Sequence, residues 1–289
     1  MDSQTLMNLK LIGDQLDQNI FPIVLDDGVI ALNDSINPSN NMSEEVKSDV
    51  TRYSRRSTTR SWERTETWKR KTGKAPPIID ESLKLNYQTQ LDTIWSFYRD
   101  VEVWEQPEGM WLVVNSQVLP RIYEHAMFLI AIPYYRSSSI RAWGFWKSSL
   151  SVSWIGPRHT NFPDGSICAF EPKDQTWIHG DSLIELLDIY SLWALRQLYL
   201  KTFYRWPGTQ SVEYLGERLL EMNSNECCAC GSIKKYKECC QQGDLSRNRF
   251  KGVMSFVSQN RFNLNRQPPV AIKDFALKRN YAPVMYEFI

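Results

Sequence analysis

Apolar positions change their period several times along this chain, and each change marks a different element. Over residues 4–20, Leu6, Leu9, Ile12, Leu16 and Ile20 recur at spacings near three and four, which predicts a short amphipathic helix. Ile23-Val24-Leu25 and Val29-Ile30-Ala31 flank Asp27-Gly28, the pattern of a hairpin or turn. Apolar residues then nearly vanish from about 33 to 61, where Ser, Asn, Thr and Arg dominate, so a linker is expected there. Leu91, Ile94, Trp95 and Tyr98 restore a helical spacing and predict a helix over 83–99. Short β-rich runs follow at Val101–Trp104, Met110–Val114, Phe128–Ile132 and Ile140–Phe145, separated by turn residues as in an antiparallel meander. An irregular stretch over 154–177 leads to Asp181-Ser182, an N-cap signal. The apolar helix behind it runs to about Tyr204, where Trp206-Pro207-Gly208 stops it. Helix, meander, loop and helix in that order predict an α+β domain.

Charge adds one local feature. The 289 residues carry 34 Lys and Arg against 33 Asp and Glu, a net charge of +1, which argues against whole-molecule capture of nucleic acid. Basic residues nevertheless concentrate between Arg52 and Lys74, with Trp62 and Trp68 interleaved. Such an arm either grips phosphates or an acidic surface, or is simply solvated. With 42% hydrophobic and 12% aromatic residues the chain has the material for a real core. Its best apolar run, 126–133, is far shorter than the roughly 20 residues of a membrane span. The opening Met1-Asp2-Ser3-Gln4 lacks the features of a secretory signal. A soluble, cytoplasmic protein with no membrane partner is therefore expected.

The cysteines are placed unevenly. Cys227, Cys228, Cys230, Cys239 and Cys240 crowd together, while Cys168 stands alone. Clustered thiols in a reducing compartment point to a metal site, and a lone one to either a packed residue or a nucleophile. Cys228-x-Cys230 and Cys239-Cys240, separated by eight residues, supply two tight pairs able to wrap one tetrahedral Zn²⁺. Four sulfur ligands close the coordination shell, so the metal is expected to be structural. Around the lone cysteine the chain reads His159-Thr160-Asn161, then Gly165-Ser166-Ile167-Cys168-Ala169, then Trp177. An acyl-carrying thiol must be reachable by a bulky substrate, and its tetrahedral intermediate must meet a donor such as an Asn amide. The bland reading of Cys168 is a small buried hydrophobe.

These blocks resemble the ubiquitin-conjugating enzymes, whose active-site signature is His-Pro-Asn, a short loop, Gly-x-Ile-Cys-Leu and a Trp before the next helix. Gly109–Val114 resembles the second-strand region of that family, and Phe128–Tyr135 the strand leading into its proline-rich turn. The matching order covers about residues 83–207. Thr160 stands for the proline, Ala169 for the leucine, and Arg136-Ser137-Ser138-Ser139 for the second proline cluster, which points to the divergent prokaryotic branch of bacterial antiphage (CBASS-type) operons.

The resemblance implies that Cys168 accepts the C-terminus of a protein as a thioester and passes it to a lysine. In that reading Asn161 stabilises the oxyanion or the loop, and His159 is structural. The implied partners are a ubiquitin-like protein or a partner nucleotidyltransferase as donor, and an activating enzyme; nucleic acid is the weaker expectation. The run from Asn225-Glu226 to Cys240 also closely resembles the SEC-C zinc motif, with Cys227 standing where that family has proline and so excluded as a ligand. In that family the module docks onto other macromolecules.

The expected organisation is thus a short N-terminal helix and hairpin over 1–32 and a basic, partly disordered linker over 33–82. A conjugating-enzyme-like antiparallel meander flanked by helices follows over 83–207. A SEC-C module over 208–242 and a basic C-terminal segment over 243–289 complete it. The competing readings are a catalytically inactive fold of the same kind that recruits protein or RNA through its zinc motif and basic arm, and, third, a cysteine hydrolase using His159.

Overall fold

The computed structural model describes residues 1–33, 78–161, 164–170, 174–247, 249–259 and 266–288, together with the backbone of 52–57. Most of the expected basic linker, including Trp62 and Trp68, lies outside the described residues.

The architecture is α+β. Helix α1 (Ser3–Asp17) is capped by Asp2, whose carboxylate accepts from Thr5 N at 2.7 Å. It leads into a two-stranded hairpin, β1 (Ile23–Val24) and β2 (Ile30–Ala31), turned by Asp26–Gly28. Helix α2 (Glu81–Phe97) starts at Asp80, which accepts from the backbone N of both Ser82 and Leu83 at 3.0 Å. Five antiparallel strands then follow in chain order: β4 (Asp100–Gln106), β5 (Gly109–Ser116), β6 (His125–Pro133), β7 (Arg141–Lys147) and β8 (Val152–Trp154). The last of these ends at Trp154, where the stretch expected to be irregular begins. Strand β3 (Arg52–Ser57) pairs in parallel with the outer edge of β4, from Arg52 against Asp100 to Ser57 against Glu105. Part of the expected linker is thus strand, because an edge such as that of β4 offers unpaired N–H and C=O groups.

The central strands β5, β6 and β7 alternate their side chains between two apolar layers. Met110, Leu112 and Val114 of β5, with Phe128, Ile130 and Ile132 of β6, face one core. Trp111 and Val113, with Met127, Leu129 and Ala131, face the other. An antiparallel sheet with one solvated face would read apolar-in, polar-out; a continuous apolar run such as 126–133 demands cover on both sides.

The first face is covered by α1, α2 and the long helix α3 (Leu183–Phe203). The second is covered by the chain's end: α7 (Val270–Lys278) and the turn Met285–Glu287 bring Ile272, Phe275, Met285 and Phe288 onto Trp111 and Trp143. Pro283 O accepts from Gln106 Nε2 at 2.8 Å and from Trp111 Nε1 at 2.9 Å, which pins this cover to β4 and β5. Residues expected as separate terminal segments therefore supply core side chains at both ends of the chain.

The thiol-rich part folds as small elements: α4 (Leu215–Glu221), α5 (Gln241–Ser246) and α6 (Arg249–Gln259). Asp244 organises it, accepting from Arg218 Nε at 2.8 Å, Arg218 Nη2 at 2.9 Å and Tyr236 Oη at 2.9 Å. No helix among the described residues is long and apolar enough to cross a membrane.

Candidate functional sites: a thiol cluster and a cysteine cleft

Cys228, Cys230, Cys239 and Cys240 converge, with their Sγ atoms all within 4.8 Å of one another. The Cys230–Cys239 separation is 3.7 Å and the Cys239–Cys240 separation 3.8 Å. A tetrahedron of sulfurs with Zn–S near 2.3 Å has edges of about 3.8 Å, so the donor set fits a metal ion such as zinc. Gly231, at φ +82, takes the left-handed conformation that turns the chain after the second ligand, with open space where a Cβ would stand.

The thiols also compete for charge. Burial raises the Cys228 thiol, but N–H groups of Cys230 and Cys240 outweigh this and leave it lowered. Cys240 is pushed up to about 12, chiefly by its hydrogen bond with Cys228, and Cys239 is raised by hydrogen bonds with Cys228 and Cys230. A dication at the centre would stabilise all four as thiolates at once. Cys227 stands outside the cluster: it is buried, with its Sγ 3.8 Å from Ile233 O and 3.9 Å from Asp17 Oδ1.

Cys168 lies on the loop between β8 and α3, half-buried, and lines a cleft of about 360 Å³ with Phe170, Ile189, Trp193, Arg196, Trp206 and Gln210. Local hydrogen bonds hold that loop in shape. Cys168 N donates to His159 O at 3.1 Å, and Thr160 and Ile167 form a β-bridge. Gly165 has φ +64, and a Cβ there would meet Arg266 O at 2.6 Å, so this tight bend requires glycine. Arg141 pairs with Asp164 at the base of the bend.

The two neighbours singled out in the sequence are both committed to structure. Asn161 Nδ2 donates to Ile167 O at 3.0 Å and to Ser166 Oγ at 3.2 Å, using both of its N–H groups on the loop. The ring of His159 stacks on Trp206 with centroids 3.9 Å apart, and its Nε2 lies 3.1 Å from Gln210 Oε1. Burial, reinforced by the charge of Arg158, holds the His159 imidazole well below its ordinary pKa, so it is neutral. His125 is exposed at the start of β6, and His179 packs edge-on against Tyr87; neither lines the cleft.

A buried polar network joins the loop to the thiol cluster. Glu226 accepts from Arg158 Nη1 at 2.7 Å, from Trp206 N at 2.7 Å and from Gln210 Nε2 at 3.2 Å. Gln210 Oε1 accepts in turn from Arg158 Nη2 at 2.8 Å, and its Nε2 donates to Cys227 O at 2.9 Å. Asp17 ties the end of α1 to the same region, receiving Arg205 at 2.8 Å, Lys235 at 3.0 Å and Gly208 N at 2.9 Å. Arg158, Arg196, Gln210 and Asp17 carry no local motif; only the charge of Arg196 inside an apolar helix was a visible signal. Comparisons with family models, with curated proteins and with solved structures find no match to this chain.

Proposed function

We propose that the protein is a ubiquitin-conjugating-enzyme-like acyl carrier with Cys168 as the acceptor thiol and a structural zinc module that recruits a partner. The observation that carries this reading is the position of Cys168: a half-buried thiol opening into a cleft, on a loop between a five-stranded antiparallel meander and a long buried helix. The order helix, meander, cysteine loop and helix supports the reading that the resemblance suggests.

The neighbourhood of the thiol supports acyl transfer over hydrolysis. A cysteine hydrolase needs an imidazole able to take the thiol proton, whereas His159 is desolvated, stacked and turned toward Gln210. His159 and Asn161 then act as positioning residues, shaping the loop that presents Cys168. In the loading step the Cys168 thiolate attacks the carbonyl carbon of an activated donor thioester. The new S–C bond forms, the old one breaks, and the donor's thiol departs with the proton that Cys168 gave up. A lysine amine then forms the N–C bond, the S–C bond breaks, and the proton lost by the amine passes to the departing Cys168 sulfur. Donor activation belongs to a separate activating enzyme, and an antiphage operon is the setting the resemblance suggests.

The inactive-adaptor reading has one observation in its favour, the commitment of both Asn161 N–H groups to the loop, which takes the Asn161 amide away from an oxyanion. One experiment separates the two. Full-length protein is mixed with a glycine-terminated polypeptide carrying a C-terminal mercaptoethanesulfonate thioester, and the product is run without reductant. A thiol-labile adduct that disappears in Cys168→Ala supports the carrier; no adduct, or one that persists in Cys168→Ala, overturns it.

A further inference from the structure

The cleft beside Cys168 contains a charge that the fold leaves unanswered. Three guanidinium groups lie close enough for their charges to act on His159: Arg158, Arg196 and Arg266. Arg158 is paired with Glu226, and Arg266 with Glu217 and Glu221. Arg196 differs. It makes no hydrogen bond or ion pair with any described residue, and its Nε is closed to solvent. Burial pushes its pKa down to about 10, which still leaves it fully charged at neutral pH.

Placement adds to this. Arg196 follows Trp193 by three residues on α3, so the two share one helix face. Trp193 Nε1 donates to His159 O at 2.9 Å, which sets that face against the cysteine loop. Arg196 is half-buried, with Nε closed to solvent and the residue lining the cleft; a guanidinium with no ion-pair partner is available to an anionic ligand, and its planar fork matches a carboxylate. The rest of the cleft narrows the ligand further. The rings of Trp193 and Trp206, with Ile189, offer apolar contact to a neighbouring group. Arg196 is the one cationic residue that lines the cleft among the described residues, and the carboxylate of Asp174 lines it too, which suits a single negative charge better than a phosphate dianion.

We propose that the Cys168 cleft is a carboxylate-accepting pocket in which Arg196 pairs with an acidic side chain close to the reacting end of the donor polypeptide. The identity of that donor rests on the acyl-carrier reading; the pocket itself does not. Its substrate class is an extended tail that carries an apolar residue and an acidic one near its C-terminus.

Two alkylating reagents test it on the full-length, zinc-loaded protein. Iodoacetate and iodoacetamide both give Cys168 an S–C bond with loss of iodide, and differ in that only the first carries a carboxylate. Labelling at Cys168 is followed by peptide mass mapping, and each rate is divided by that of free cysteine. Iodoacetate should be favoured by about tenfold over iodoacetamide, the scale of one charge-assisted pair, and should show saturation. Phenylacetate should protect better than inorganic phosphate. Arg196→Gln should abolish the preference, with its fold certified by zinc content and urea denaturation; Arg196→Lys should keep part of it.

Equal normalised rates in the wild type, a preference that survives Arg196→Gln, or better protection by phosphate would each overturn the pocket and leave the acyl-carrier reading standing. If neither reagent reaches Cys168, both readings fall. If the preference holds but the thioester probe never loads, the carrier reading alone falls.

Discussion

Arg158 and Glu226 meet inside the protein: Nη1 lies 2.7 Å from Oε1, and the two side chains are 8% and 0% exposed. One belongs to the loop that carries Cys168, and the other stands two residues before the first thiol of the cluster. Trp206 N and Gln210 add further hydrogen bonds to the pair, the kind of support that makes a buried ion pair tolerable. The cysteine loop and the thiol cluster are therefore mechanically one unit.

Removing either partner should leave the other charged and stranded. Glu226→Ala and Arg158→Ala should each destabilise the protein by about 3–5 kcal/mol, read from urea denaturation. The double variant should cost much less than the sum of the singles, because neither charge is then left alone. Additive losses would contradict the pairing.

The thiol cluster should bind one zinc ion per chain. Native mass spectrometry and elemental analysis should find it in the wild type and in Cys227→Ser, and lose it in Cys239→Ser. Chelation should lower stability and also raise the alkylation rate of Cys168, through the Glu226–Arg158 tie. A metal-free wild type, or a loss in Cys227→Ser, would refute the ligand set.

The C-terminal cover should be needed for solubility of the fold. Phe275 packs edge-on against both Trp104 and Trp111 and is 1% exposed. Phe275→Ala should cost about 3–5 kcal/mol. Truncation before Arg266 should bare the second apolar face of the sheet and produce strong binding of the dye ANS. A truncated chain with native stability and no dye binding would show that the cover is dispensable.

Stability should fall on mild acidification because of His159. Its folded-state pKa is depressed by burial and by Arg158, so below its ordinary value of 6.5 the unfolded chain takes up a proton that the native state refuses. The unfolded state then binds more protons, and stability drops as pH falls, by up to about 1.4 kcal/mol per unit for this one group. His179, also depressed by burial, adds to the loss. Asp188 works against it: burial raises its carboxyl to about 6, so protonation favours the native state as pH falls through that value. The difference between wild type and His159→Gln isolates the first term. Denaturation midpoints that run parallel from pH 7 to 5 would remove it.

Much of this was legible along the chain because it is written in local periods. The 3.6-residue spacing of Leu91, Ile94 and Tyr98 and the Ser182 cap marked the helices at Glu81–Phe97 and Leu183–Phe203 to within about two residues. The alternation of short apolar runs marked the meander, and Cys-x-Cys with Cys-Cys marked the thiol cluster, since ligands that close in sequence can meet with little help from the fold. The brief strand at Val152–Trp154 escaped, being too short to show a period.

Other features depended on positions far apart in the chain. The apolar run at 126–133 announced that both sheet faces must be covered, but not that residues 270–288 would do it, because burial is satisfied by whichever apolar surface arrives. The pairing of Arg158 with Glu226, the hydrogen bond of His159 with Gln210, and the bond from Trp193 to His159 O join residues from 34 to 68 positions apart. The sequence by itself determined the α+β order of elements and the four-thiol cluster, both products of short-range spacing. Which charges find partners, and which one is left facing the cleft beside Cys168, was decided only when the chain closed on itself.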